Sequence, residues 1–282
     1  MQRVMWEMNV RGRPFTDRIQ ATVSGGFDLL SLSFREYRKE AQAGNSPESL
    51  ATTALEQGVR LDFLDGISSW TPVRSTPDAP DFMKQAFDFS AEDALELCRR
   101  ASLTRIVAVA GFDRGSLSVA QIVSHFGAFC DKAADQGIWV DLEAMPVFGG
   151  LRTLADAWTI VADAGRANCG VMFDTWHFQR DGADYAVLKS IPRGKIVNVQ
   201  LVDGSKVPHG SDLWTDAFHH RELPGWGEFP LSELLQILAT TQDLQTIGPE
   251  AICDRLDRFH ASEVGRQADE SMKRAGFSAS AD

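Results

Sequence analysis

Short apolar runs alternate with longer amphipathic stretches from one end of the chain to the other. Val-, Ile-, Leu- and Phe-rich runs bounded by turn residues predict strands at Arg3–Val10, Asp28–Phe34, Arg60–Ile67, Arg105–Phe112, Trp139–Met145, Cys169–Phe178, Ile196–Gly204 and Thr246–Ile252. Between them, apolar residues recur at helical spacing over Pro14–Ser24, Pro47–Gln57, Asp81–Arg100, Val119–Gln136, Leu154–Arg166, Ala183–Ser190 and Leu231–Thr241, and a last helix runs from about Ala261 to Ala275. Two helix starts carry capping chemistry: Ser46 before Pro47-Glu48, and Ser90 before Ala91-Glu92-Asp93.

This rhythm across 282 residues leaves about 35 residues per strand–helix unit, the spacing of a (β/α)8 TIM barrel in the α/β class. An open doubly wound sheet is the competitor, but no Gly-rich nucleotide turn follows the first strand. No composition shift divides the chain, so one domain over 1–282 is expected, with an irregular tail from about 276. The longest irregular segments, Ser68–Pro80 and Ser205–Pro230, follow the third and seventh strands. In a barrel both would lie at the catalytic face.

Strands covered on both faces should be almost continuously apolar. Four break that rule toward their C-terminal ends: Trp139-Val140-Asp141-Leu142-Glu143, Val171-Met172-Phe173-Asp174, Ile196-Val197-Asn198-Val199-Gln200 and Thr246-Ile247-Gly248-Pro249-Glu250. Alternation puts Asn198 and Gln200 on one face, with Val197, Val199 and Leu201 on the other. A lone buried carboxylate is costly unless it is paired or binds a metal. Converging at a barrel mouth, Glu143, Asp174, Gln200 and Glu250 offer three carboxylates and one amide oxygen. Such an all-oxygen set suits a hard divalent ion, Mg²⁺ or Mn²⁺, better than it suits zinc. Each residue alone reads equally well as a salt-bridged structural group; the register of all four points to the ion. Metal-free protein should then suffer carboxylate repulsion and be sensitive to chelator.

Composition narrows the partners. Hydrophobic residues make up 44% and charged residues 24% of the chain, and the formal net charge is −11. That acidity, with no basic cluster, argues against nucleic acid and against an anionic membrane surface. Cys98, Cys130, Cys169 and Cys253 stand singly, so no C-x-x-C zinc or redox motif exists. Arg3, Glu7 and Arg11 interrupt the N-terminal run, so a signal peptide is not expected, and no run is long enough for a spanning helix. A soluble cytoplasmic protein with a small-molecule substrate is the expectation.

The runs LEAMP, GVMFDTWHFQR, VNVQLVDG and RELPGWGEFPLSELLQIL resemble the second half of the sugar-phosphate isomerase/epimerase superfamily, the xylose isomerase-like TIM barrels. The resemblance covers roughly Trp139 to Ile252; the first half shares only the βα rhythm. It implies one divalent metal held by Glu143, Asp174, Gln200 and Glu250, and Asp174 with His177 matches the family's Asp-x-x-His pattern. Many sugar epimerases have His where Gln200 stands, and the oxygen ligand looks more like the bacterial 3-dehydroshikimate dehydratase branch. The family's common Pro-Gly-Glu-Gly is Pro224-Gly225-Trp226-Gly227 here, and Gly248-Pro249 replaces the usual β-branched residue before Glu250. Dimers and tetramers are common in such barrels by analogy alone, so a homo-oligomer is one option and the sequence leaves the oligomeric state open.

A dication gripping a carbonyl and its adjacent hydroxyl acidifies the carbon between them and stabilises an enediolate. Reprotonation gives epimerisation or isomerisation; loss of a β-hydroxyl gives dehydration. The expected activity is that of a metal-dependent isomerase/epimerase on a sugar-like hydroxy-carbonyl compound, with dehydration by a lyase, or an inactive ligand-binding barrel, as alternatives. His177, Glu143 and Glu250 are the candidate proton-transfer groups. His177, Arg221, Trp226 and Trp70 are the candidate substrate contacts, Arg221 through its fork and the indoles as pocket walls. Trp6, the loop residues His209, His219 and His220, and the strand residues Asp62, Asp65 and Asp141 are weaker candidates, for core packing, incidental placement or orientation of ligands. A Schiff-base aldolase is a poor reading on position: Lys195 precedes the seventh strand and Lys206 follows it in a loop. An abasic-site endonuclease would need more histidines than six and a basic groove.

Overall fold

Eight short strands carry the buried apolar runs. In the computed structural model, which describes residues 1–76 and 81–277, they are β1 (Gln2–Met5), β2 (Leu29–Leu32), β3 (Arg60–Ile67), β4 (Arg105–Val109), β5 (Trp139–Glu143), β6 (Cys169–Asp174), β7 (Asn198–Leu201) and β8 (Thr246–Pro249). The strands follow one another in the closed order β1-β2-β3-β4-β5-β6-β7-β8, and every pairing described is parallel. This is the expected (β/α)8 barrel. The helices are α1 (Phe15–Ser24), α2 (Phe34–Gln42), α3 (Pro47–Glu56), α4 (Asp81–Ala86), α5 (Ala91–Ala101), α6 (Val119–Ala134), α7 (Leu154–Ala164), α8 (Thr175–Arg180), α9 (Tyr185–Ser190), α10 (Leu213–His219), α11 (Leu231–Thr241) and α12 (Ala261–Arg274). No helix among the described residues is long and apolar enough to cross a membrane. The expected irregular tail lies outside the described residues from 278 on, as do residues 77–80 of the loop after β3.

Residues cluster into two compact units. One comprises 1–31, 54–60 and the chain from 173 onward; the other comprises 32–53 and 61–172. In the second, Trp70 meets the edges of Phe112 and Phe126 at centroid distances of 6.3 and 5.6 Å, and Phe34 stacks on Phe89 at 3.9 Å. In the first, α1 lies against α12 so closely that a Cβ on Gly265 would collide with the carbonyl oxygen of Ala21. Only glycine lets two backbones approach in this way.

Local chemistry explains where the observed boundaries depart from the expected ones. The run Arg3–Val10 stops being a strand at Met5 and closes into a 3-10 turn over Glu7–Val10. The stretch Asp81–Arg100 divides into α4 and α5, because Ser90 and Asp93 form a capping box that starts a new helix. The run Cys169–Phe178 ends as a strand at Asp174, whose carboxylate caps α8. Helices α2, α8 and α10 were not visible as periodic stretches; two of them span seven residues or fewer.

Replacing Gly265 with alanine is expected to destabilise the protein by about 1–3 kcal/mol through overpacking. The measurement is the urea unfolding midpoint, and an unchanged midpoint would mean that the α1–α12 crossing has room to spare.

Candidate metal and substrate site

Asp174 is the last residue of β6, and its two carboxylate oxygens have separate duties. Oδ1 accepts the backbone N–H groups of Trp176 (2.6 Å) and His177 (3.0 Å), starting α8. Oδ2 accepts from Arg221 Nη1 at 2.9 Å. The first helical turn then brings His177 back beside the strand end, with Nε2 3.7 Å from Asp174 Oδ2.

Gln200 stands opposite Asp174 in the β6–β7 ladder. Both side chains are buried, and Gln200 Oε1 has no hydrogen-bond partner among the described residues. An unsatisfied buried acceptor is expensive unless something positive faces it. Glu143 ends β5, with only 4% of its surface exposed. Glu250 follows β8 and joins the group through Arg221, whose Nη1 lies 3.2 Å from Glu250 Oε2 as well as against Asp174. His177 therefore lies beside Asp174, and Glu250 shares a cation with it.

Arg221, expected at the end of a loop, is 2% exposed. Its Nε donates to Ala217 O in α10 (3.0 Å), and its backbone N–H donates to Ile252 O (3.3 Å) beside a bridge between His220 and Cys253. The guanidinium lies 4.7 Å from the Trp176 ring centroid, a cation–π platform. Nη2 lies 3.2 Å from His177 Nε2. A guanidinium can only donate, so His177 Nε2 accepts and the imidazole is neutral. Burial acts in the same direction and pushes the His177 pKa down to about 3, with Asp174 opposing and Arg221 reinforcing the shift.

Other expected residues have different surroundings. Trp70 is buried and donates its indole N–H to Val109 O at 2.8 Å. Trp226 is 39% exposed, with the Arg255 guanidinium 4.4 Å above its ring. Trp6 is fully buried. Asp62 pairs with Arg105 and Thr104, Asp141 accepts from Trp139 Nε1, and Asn198 accepts from Thr246 Oγ1. His209 and His220 face one another at 5.2 Å between ring centroids, and His219 contacts Asp254.

Three residues that the sequence reading did not single out organise the loops. Asp203 accepts the backbone N–H groups of Gly204, Gly225 and Phe229 at 2.8–2.9 Å, so the Pro224–Gly227 turn folds onto a carboxylate of its own chain. Burial raises the Asp203 pKa, and these backbone donors oppose the rise. Arg180 and Asp216 form a buried pair at 2.6 Å that ties α8 to α10. Only Asp203 carried a signal: an acidic residue just past an apolar strand, next to glycine.

The residues fit a divalent cation. Counted at formal charge, Asp174 and Glu250 contribute two negative charges beside the one positive charge of Arg221, and Gln200 Oε1 adds an acceptor with no donor among the described residues. The donors favour oxygen, with one imidazole within reach.

A family model described as the xylose isomerase-like TIM barrel matches residues 20–274. The chain is 22% identical over 275 residues to a 3-dehydroshikimate dehydratase of Pseudomonas putida, covering 97% of this chain and 41% of that protein. It is 30% identical over 105 residues to the enzyme of the same name from Pseudomonas aeruginosa, covering 37% of this chain and 16% of that protein. The chain thus spans less than half the length of these curated relatives. Among solved structures it superposes on the IolI protein, described with a binding zinc atom, at a TM-score of 0.82 and 18% identity over 99% of this chain and all of that one. With the family model covering nearly the whole barrel, the chain belongs to the xylose isomerase-like TIM-barrel family.

Proposed function

We propose that this protein is a divalent-metal-dependent enzyme acting on a small hydroxy-carbonyl compound, with Glu143, Asp174, Gln200 and Glu250 as ligands to Mg²⁺ or Mn²⁺. The observation that carries this reading is the buried Gln200 Oε1, partnerless among the described residues and in register with Asp174. When bound, the ion supplies Lewis-acid polarisation of a substrate carbonyl and its neighbouring hydroxyl. The protein supplies the rest. Neutral His177 holds a substrate oxygen or takes a proton at Nε2, and Glu143 and Glu250 are the carboxylate bases. Arg221, pinned to the Trp176 ring, presents its guanidinium to substrate oxygens.

For the reaction itself, dehydration of the 3-dehydroshikimate type is the better supported reading, because both curated relatives carry that name and the amide ligand position holds an oxygen donor. Loss of one water from 3-dehydroshikimate gives an aromatic dihydroxybenzoate with its own ultraviolet band. Isomerisation or epimerisation of a keto sugar is the second reading. It is favoured by the presence of two glutamates, one to remove a proton and one to return it.

Incubating the Mn²⁺-loaded protein with 3-dehydroshikimate is expected to produce that band. A silent spectrum, with solvent deuterium entering a keto sugar, would move the assignment to epimerisation. Glu143→Gln and Asp174→Asn should each reduce turnover to background, and wild-type rates in either would remove the site. His177→Ala should lower turnover while metal content stays near one ion per chain; loss of the metal would make His177 a ligand.

A pH dependence follows from the buried imidazole. In the metal-free protein His177 should stay neutral until the pH approaches about 3, whereas in the unfolded chain it titrates near 6.5. The folded state binds fewer protons between these values, so this residue's contribution is intact above about 6.5 and erodes as pH falls toward 3. The check is an NMR titration of the imidazole protons; an inflection near 6.5 would contradict the burial argument.

A further inference from the structure

We infer that Asn9 is a positioning residue for Glu250, holding the peptide groups on both sides of that carboxylate; the inference rests on Glu250 being a ligand as proposed above. Asn9 lies in the 3-10 turn directly after β1 and is 1% exposed. Its side-chain Nδ2 donates to Pro249 O at 2.5 Å and to Trp6 O at 2.9 Å. Its Oδ1 accepts from the Ala251 backbone N–H at 2.7 Å. The residue between those two contacts is Glu250.

The position matters because the strand ladder has stopped there. On one side the β7–β8 register ends at Leu201 opposite Pro249; on the other, the β1–β8 register ends at Arg3 opposite Ile247. Gly248 lies so close to β1 that a Cβ on it would collide with Val4 O. Glu250 is thus carried one residue beyond regular sheet, where backbone bonding would no longer define its direction. Fixing the carbonyl before it and the N–H after it restrains the φ and ψ of Glu250, and with them the direction in which its side chain leaves the backbone. A primary carboxamide suits the task, because it offers a donor and an acceptor in one plane. Leucine, of similar size, offers neither. The restraint bears directly on the site, since Glu250 Oε2 must stay within 3.2 Å of the guanidinium nitrogen that also holds Asp174.

The experiment compares wild type, Asn9→Leu, Glu250→Gln and Gly265→Ala in two measurements. The first is backbone amide exchange in the metal-free protein. Asn9→Leu should speed exchange at Ala251 by about tenfold or more while the β7 amides keep their rates; unchanged protection at Ala251 would overturn the inference whatever the metal does. The second is the Mn²⁺ dissociation constant by calorimetry. Asn9→Leu should weaken it by about 10–100-fold, the usual cost of losing a group that orients a ligand, whereas Gly265→Ala should lose stability and keep its affinity. An Asn9→Leu affinity within twofold of wild type would make Asn9 a merely structural residue. If wild type bound no Mn²⁺, or Glu250→Gln bound it equally well, the ligand assignment would fall and the Ala251 rate would still decide the clamp. Should Asn9→Leu not fold, Asn9→Ser removes the same reach and is read in the same way.

Discussion

One buried guanidinium holds the charge balance on which the site depends. Arg221 lies between Asp174 and Glu250, against the face of Trp176 and within reach of His177. Two carboxylates share that one positive nitrogen where burial denies them the water that would otherwise screen their repulsion. The neutral imidazole cannot help, and the amide oxygen of Gln200 adds another acceptor. A buried acceptor costs stability unless something positive faces it. Asn9, Ala217 and Ile252 matter for the same reason, since each fixes one member of the group through the backbone.

Much of this was legible in the chain. The strand positions of Glu143, Asp174, Gln200 and Glu250 stood out because carboxylates and an amide interrupt runs that should be apolar, and the structure buries all four. The fold was legible for a related reason: apolar runs and helical stretches alternate at about 35 residues per unit, and no Gly-rich turn after the first run supports the open doubly wound sheet. The contacts made by sequence-distant residues were not legible. Arg221 looked like a loop residue because its burial depends on α10 and on the bridge at Cys253, and neither declares itself in periodicity. Asn9 lies 242 residues from the amide it accepts from.

Short helices mark the second boundary of sequence reading. Six residues cannot display an amphipathic period, so α8 was read as the tail of a strand. What starts it is a side chain rather than a pattern: the Asp174 carboxylate satisfies N–H groups that a helix otherwise leaves open. The Pro224–Gly227 turn makes the same point. Its backbone donors face Asp203, a residue some twenty positions upstream, so its hydrogen bonds are committed internally by a contact that no local motif announces.

The division of labour in Asp174 also limits how this chain can drift. Because one oxygen starts the helix that delivers His177, the interval between the two residues is one turn of backbone and nothing else. Inserting a residue there would swing the imidazole around the helix axis by about 100°, away from Arg221, without altering any residue of the site. Tolerance to changes in length should therefore collapse at this junction, and the two residues between them are committed as well, Trp176 as the platform against Arg221 and Thr175 through its hydroxyl's bonds to Val202.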